Sequence, residues 1–252
     1  MTDQKQSESH SIRANRHGNA QWIGGKPSVL IFDVNETLID IEFMNPLFQR
    51  VFGDQRVLRE WFGQLVTYSM TLTLSGLYKD YVSLGQGLLE MVAAIHRVKV
   101  ESADVDELKQ RMLTMPAHAD VKQGLEQLKD AGFRMVTLTN SPPNNEGTTA
   151  LENAGLADFF ERRLSVETVR AYKPAQIVYH MAARELEVPP SACCMIATHV
   201  WDTIGAQSVG LAAGLIVRSG NAPLLVPGLP QPSVVAPDLP ALATKLIELW
   251  RS

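Results

Sequence analysis

Ser28-Val-Leu-Ile-Phe-Asp33-Val-Asn-Glu-Thr37-Leu38 sets the fold. An unbroken apolar run closing on an acid reads as a fully buried parallel strand, because only a strand covered on both faces tolerates that pattern. Two similar runs follow, Arg134-Met-Val-Thr-Leu-Thr139 and Ala192-Cys-Cys-Met-Ile-Ala197, and a fourth is Ala213-Gly-Leu-Ile-Val217. Helical patterns separate them, over residues 121–131, 146–154, 175–186 and 202–209. Strands alternating with helices specify an α/β class with a Rossmann-like parallel sheet. Ligands in such sheets sit beyond the carboxyl ends of the strands. Asp33, Thr139 and the segment after Ala197 all lie there.

No comparable strand occurs between Asp40 and Pro116. The pattern there is helical, over 46–51, 58–72, 78–98 and 104–113, and predicts a helical cap domain over 41–116 inserted into a core domain of 27–40 and 117–252. Residues 1–26 are poor in apolar side chains and rich in Ser, Gln, Asn and His, which predicts a disordered N-terminal extension without a hydrophobic signal region. Residues 223–240 read as an irregular, proline-rich surface segment and 241–251 as a closing helix.

Hydrophobic residues make up 45% of the 252-residue chain, enough for a sizeable core. A formal net charge of −4 and the lack of a basic run argue against nucleic acid or an anionic membrane as partner. The longest apolar stretches, such as 211–217, are strand-sized rather than membrane-spanning. Cys193 and Cys194 are adjacent and, on a strand, point to opposite faces; two small buried residues in a reducing cytoplasm are expected, not a disulfide.

A carboxylate ending a buried strand is desolvated and needs cationic or hydrogen-bonding partners. A tight turn can return the Thr37 hydroxyl to Asp33. Thr139-Asn140-Ser141 ends the second strand with groups able to orient a carboxylate or bind an anion, although the same residues also make ordinary turns. Lys173, in Ala171-Tyr-Lys-Pro-Ala175, either lies solvated in its loop or holds Asp33 ionised. Asp202, in Thr198-His-Val-Trp-Asp202, either caps a helix, pairs with Lys173 or activates water.

Taken in order, Phe32-Asp33-Val-Asn-Glu-Thr37-Leu38, Leu138-Thr139-Asn140, Tyr172-Lys173-Pro174 and Trp201-Asp202 resemble the four motifs of the haloacid dehalogenase superfamily, over roughly residues 28–220. Within it the chain resembles the L-2-haloacid dehalogenases, through Lys173 with Tyr179 six residues on, Trp201-Asp202-Thr-Ile-Gly205-Ala206, and Trp61 and Tyr68 in the cap. The resemblance implies hydrolysis of a halogenated carboxylic acid. Asp33 displaces halide and becomes an ester, and water assisted by Asp202 then attacks that ester. Thr37, Thr139 and Lys173 hold Asp33, and Asn140 contacts the halide. It implies no cofactor, no metal and a dimer formed through the cap.

The chain departs from that pattern where substrate is recognised. Asn35 stands in place of a Tyr, Phe62 in place of a substrate-gripping Arg, and Ala197 and His199 in place of a Ser and an Asn that hold water. His199 either takes over the hydrogen bonding or shares the base role with Asp202. Phe62 faces the pocket or packs in the cap with Trp61 and Leu65, and Arg59 is a candidate substitute anion site. Two other functions compete. A phosphatase of the same superfamily needs an acid at position 35, where Asn35 exchanges no proton, and Mg²⁺, which usually takes paired acids near position 202. A non-catalytic scaffold has no use for Asp33, Lys173 and Asp202 together.

Overall fold

Val29–Phe32 is buried at all four positions and forms strand β3 at the centre of the sheet. The computed structural model describes residues 25–143 and 148–250, together with two short strands, β1 (Arg13–Ala14) and β2 (Ala20–Gln21), which pair antiparallel. Apart from that pairing and residues 25–26, the extension expected to be disordered over residues 1–26 lies outside the described residues.

The main sheet has six parallel strands: β3, β4 (Arg134–Thr139), β5 (Arg162–Ser165), β6 (Cys193–Ala197), β7 (Ala212–Ile216) and β8 (Val234–Ala236). Their spatial order is β5-β4-β3-β6-β7-β8. The chain runs outward from β3 through β4 to β5, then returns to the other side of β3 for β6. β3 and β6 therefore flank the point where strand order reverses, which is where open α/β sheets bind ligands.

Two strands were not expected. β5 carries exposed Arg162 and Arg163 on one edge, and β8, placed in the segment expected to be irregular, is a three-residue strand on the other edge. Edge strands lack the continuous apolar run that marks β3, β4, β6 and β7, and charge on an edge deters further pairing. Cys193 and Cys194 are both free and buried in β6.

Between β3 and β4 lie α1 (Asn45–Phe52), α2 (Val57–Leu74), α3 (Tyr81–His96), α4 (Ser102–Thr114) and then α5 (Val121–Asp130). α3 begins three residues later than the pattern indicated, because the Asp80 carboxylate caps it, accepting the Ser83 N–H at 2.8 Å. Trp61 locks α2 to α3: its indole N–H donates to the Gly85 carbonyl at 2.9 Å, over a glycine whose missing side chain leaves room for the ring.

The remaining helices are α6 (Ala150–Asn153), α7 (Gln176–Glu185), α8 (Val200–Ser208) and α9 (Leu239–Leu249). α6 is shorter than the helix expected over 146–154: Thr149 and Glu152 form a capping box that starts it at Ala150, and residues 144–147 lie outside the described residues. α9 packs on α5 through Gly124, where a Cβ would come within 2.8 Å of the Leu239 backbone. Among the described residues no helix is long and apolar enough to cross a membrane.

Candidate functional site

The turn after β3 is built to fold back. Leu38 N–H donates to Val34 O at 2.9 Å and Glu36 N–H to Ile39 O at 2.8 Å. This returns the Thr37 hydroxyl to Asp33, donating to Oδ2 at 2.6 Å, while the Thr37 oxygen accepts the Thr198 N–H at 2.9 Å. The guanidinium of Arg218 clasps the turn from outside through the Thr37 carbonyl, at 2.9 and 3.2 Å. Turn, β3 and the end of β6 thus form one rigid unit.

Lys173 is fully buried at its centre. Its three N–H donors meet Asp33 Oδ1 at 2.7 Å, Asp202 Oδ2 at 2.7 Å and the Leu138 carbonyl at 3.0 Å, which exhausts its capacity. The other Asp202 oxygen accepts the Tyr179 hydroxyl at 2.7 Å. Asp202 lies in the first turn of α8, whose N-cap is His199, so it is not the helix cap.

One ammonium between two carboxylates drives their acidities apart. Burial alone raises the Asp33 carboxyl, but Lys173 and His199 override it and hold it far below the usual carboxylate range. Burial pushes Asp202 up, and the nearby Asp33 charge adds to this against the pull of Lys173. Lys173 itself is raised: burial lowers it, and Asp202 with Asp33 more than reverse that. Asp33 is consequently an ionised, water-poor carboxylate, only 4% exposed.

Thr139 does not reach Asp33. Its hydroxyl oxygen accepts the Ser141 N–H at 3.1 Å, and the Asn35 amide donates to the Ser141 hydroxyl at 3.2 Å. Asn35, Thr139 and Ser141 line a cavity of about 470 Å³ with Met112, Leu164 and Arg163, beside the Asp33 centre but not lined by it. Asn140 is buried and its side-chain oxygen accepts the Lys173 backbone N–H at 3.3 Å.

His199 lies beneath the helical insertion, its ring stacked on Trp201 at 4.9 Å and 5.6 Å from Phe62 of α2. Phe62 is therefore both buried in the core and the insertion's cover over the strand ends. The Trp201 ring lies 5.8 Å from the Lys173 ammonium. His199 Nε2 meets Glu36 Oε2 at 2.7 Å, and Nδ1 stands 3.6 Å from Asp33 Oδ2. Burial lowers the imidazole, but Asp33 and Glu36 outweigh it and raise it to about 9.

Glu36 is the residue that sequence reasoning missed. It is 2% exposed and sits at φ 67°, in the left-handed region. Its Oε1 is held by the Asn221 amide at 3.1 Å and by Arg59, which also reaches Glu42 at 3.0 Å and the Ser219 carbonyl at 3.2 Å. Arg59 is thereby committed to two carboxylates and a carbonyl, which corrects its reading as a substitute anion site. Glu36 was in view beside Thr37, but nothing in its neighbours signals a buried charge. Among the described residues no group of three or more His, Cys, Asp or Glu side chains is arranged to hold a metal ion.

A model of the haloacid dehalogenase-like hydrolase family matches residues 27–210. The (S)-2-haloacid dehalogenase 1 of Pseudomonas sp. (strain CBS-3) is 30% identical over 187 residues, 71% of this chain and 80% of that protein. The (S)-2-haloacid dehalogenase 4A of Burkholderia cepacia is 28% identical over 196 residues, 77% and 84%. Among solved structures, one described as a dehalogenase is 26% identical with a TM-score of 0.77, covering 88% of this chain and 96% of its own. The L-2-haloacid dehalogenase from Xanthobacter autotrophicus with covalently bound chloropropionic acid is 21% identical and shares the fold, at a TM-score of 0.77 over 86% and 97%.

Proposed function

Since the chain belongs to the haloacid dehalogenase-like hydrolases, we propose that it hydrolyses the carbon–halogen bond of 2-haloacids through an ester on Asp33, releasing halide and a 2-hydroxy acid. The observation that carries this reading is the single low-pKa carboxylate at the end of β3, desolvated yet kept ionised by Lys173 and Thr37. A carboxylate is a weak nucleophile in water, and removal of its solvent shell with the charge retained makes it a stronger one.

Asp33 attacks the halogen-bearing carbon, the carbon–halogen bond breaks and halide departs. Water then attacks the ester carbonyl, the bond from that carbon to the product oxygen breaks, and the departing alkoxide takes up a proton as the Asp33 carboxylate is restored. Lys173 and the Thr37 hydroxyl stabilise charge on the Asp33 oxygens in both steps. Asn140, Phe62, Trp201 and Asn35 shape the substrate's surroundings, Thr139 closes the strand end next to Asn140, and Tyr179 fixes Asp202. Residues 27–40 and 117–252 are read as the core domain and 41–116 as its cap. The cap exposes Leu74 and Leu77, at 88% and 59%, which supports a homodimer formed through it.

The reaction needs no metal in this reading, because the carbon under attack carries no phosphate-like charge and Lys173 supplies the cation. Asn35 weighs against phosphate transfer: its amide neither gives up nor takes a proton near neutral pH as a general acid or base must, and it is tied to Ser141. The test is a halide-release screen of 2-haloacids, haloacetates and haloacetamides beside a phosphatase substrate, with and without chelator. Chelator-insensitive halide release is expected. In heavy-oxygen water a single turnover should label Asp33 before product, and Asp33→Asn should lower turnover by about 10⁴-fold or more. Label appearing first in product, or phosphate release alone, would overturn the reading.

A further inference from the structure

We infer that Glu36 and His199 form a carboxylate–imidazole dyad that takes the proton from the water hydrolysing the Asp33 ester and passes it to the departing alkoxide. This rests on the ester mechanism proposed above and assigns its second step. The geometry is that of an oriented base. Glu36 Oε2 meets Nε2 at 2.7 Å, which keeps a proton on Nε2 whether or not the ring is charged and turns Nδ1 toward Asp33. Nδ1 is buried without any hydrogen-bond partner and lies 3.6 Å from Asp33 Oδ2, too far for a hydrogen bond. Trp201 stacks on the ring and Phe62 lies tilted 5.6 Å from it, so both confine it.

Glu36 bears the marks of a placed group. A non-glycine residue at φ 67° carries backbone strain, and its buried carboxylate is costly unless paired. Both costs are met by a dedicated set of partners: His199 on one oxygen, Arg59 and Asn221 on the other. Asp202 is the alternative base, but it is fully buried with one oxygen on Lys173 and the other on Tyr179. It serves Lys173, and His199 has the open nitrogen.

The protons balance over the cycle. In the free enzyme His199 is an imidazolium facing the charges of Asp33 and Glu36, with Lys173 beyond Asp33 and Arg59 beyond Glu36. Alkylation of Asp33 expels halide and cancels the Asp33 charge, so the imidazolium releases one proton to solvent, the proton of the net reaction. Water adds to the ester carbonyl and gives a proton to Nδ1. The carbonyl–alkoxide bond breaks and Nδ1 returns that proton to the alkoxide. The remaining Asp33 carboxylic acid then gives its proton to Nδ1, restoring the starting pair.

The experiment is rapid mixing of wild type, His199→Asn, Glu36→Gln and Asp202→Asn with a 2-haloacid, following halide and the mass of the Asp33 peptide. His199→Asn should release one halide per site in a burst and accumulate the ester, with steady turnover down about 10²–10⁴-fold. The wild-type rate of ester breakdown should rise with pH, and the residual rate in His199→Asn should not. Glu36→Gln should show the same block, less completely. Ester that clears at the wild-type rate in His199→Asn, or accumulates only in Asp202→Asn, overturns the assignment. So does the lack of any burst in His199→Asn and Glu36→Gln while wild type turns over normally. No halide from the wild type would instead sink the dehalogenase reading itself.

Discussion

Lys173 spends all three donors on acceptors within 3.0 Å, two of them carboxylates. Lys173→Met removes the cation that bridges Asp33 and Asp202 and strands two buried charges. We expect a loss of about 3–5 kcal/mol in urea denaturation at neutral pH. Asp33, whose folded pKa is depressed, normally contributes stability above its unfolded pKa and loses it as pH falls. Without Lys173 the Asp202 carboxyl, already raised by burial, loses the cation that pulls it down, so the variant should regain stability on acidification as that group takes up its proton. His199 runs the other way. Its folded pKa is raised from 6.5 to about 9, so its contribution is complete below pH 6.5 and fades as pH climbs through 9. The amplitude is on the order of 3 kcal/mol. Stability curves of wild type and His199→Asn should converge across that window, and curves that stay parallel would show that the imidazole is not held by Asp33 and Glu36.

β3, β4, β6 and β7 were legible because strands covered on both faces must be apolar throughout, and the acid that closes β3 is conspicuous for the same reason. β5 and β8 were not, since an edge needs only half that pattern. The ends of the legible strands carried Asp33 and Thr139, and the following segments carried Thr37 and Asp202. Glu36 escaped because a left-handed turn is signalled by glycine or asparagine, and here a glutamate holds that conformation. Close helix contacts separate stability from function. Gly205 in α8 faces Pro174 and the Tyr179 hydroxyl, where a Cβ would stand 2.6 and 2.7 Å away. Gly205→Ala should cost about 1–3 kcal/mol and lower kcat as Tyr179 is pushed from Asp202. Gly124→Ala, aimed at the Leu239 backbone between α5 and α9, should cost as much while leaving kcat and KM alone. Equal kinetic effects would mean that Tyr179 does not serve Asp202.

Around the reversal of strand order, the charges of Asp33, Glu36 and Asp202 are offset by Lys173, His199 and Arg59. An anionic substrate therefore meets a centre that is nearly neutral, and Phe62 offers its carboxylate no cation. Discrimination between a 2-haloacid and its amide should be weak. Phe62→Arg should lower KM for the acid by about tenfold without helping the amide, as one charge-assisted pair is worth roughly 1.5–3 kcal/mol. A KM ratio untouched by the change would place residue 62 away from the substrate carboxylate.

Asp33 is 4% exposed, and α2 closes over the centre with two side chains: Phe62 lies on the imidazole, and Arg59 grips the glutamate behind it. One helix therefore roofs the nucleophile and, through the same turn of its surface, anchors the acid that steadies the imidazole. Cover and foundation share a beam, so a change that tilts α2 should disturb the two together, while a change elsewhere in the insertion should leave both in place.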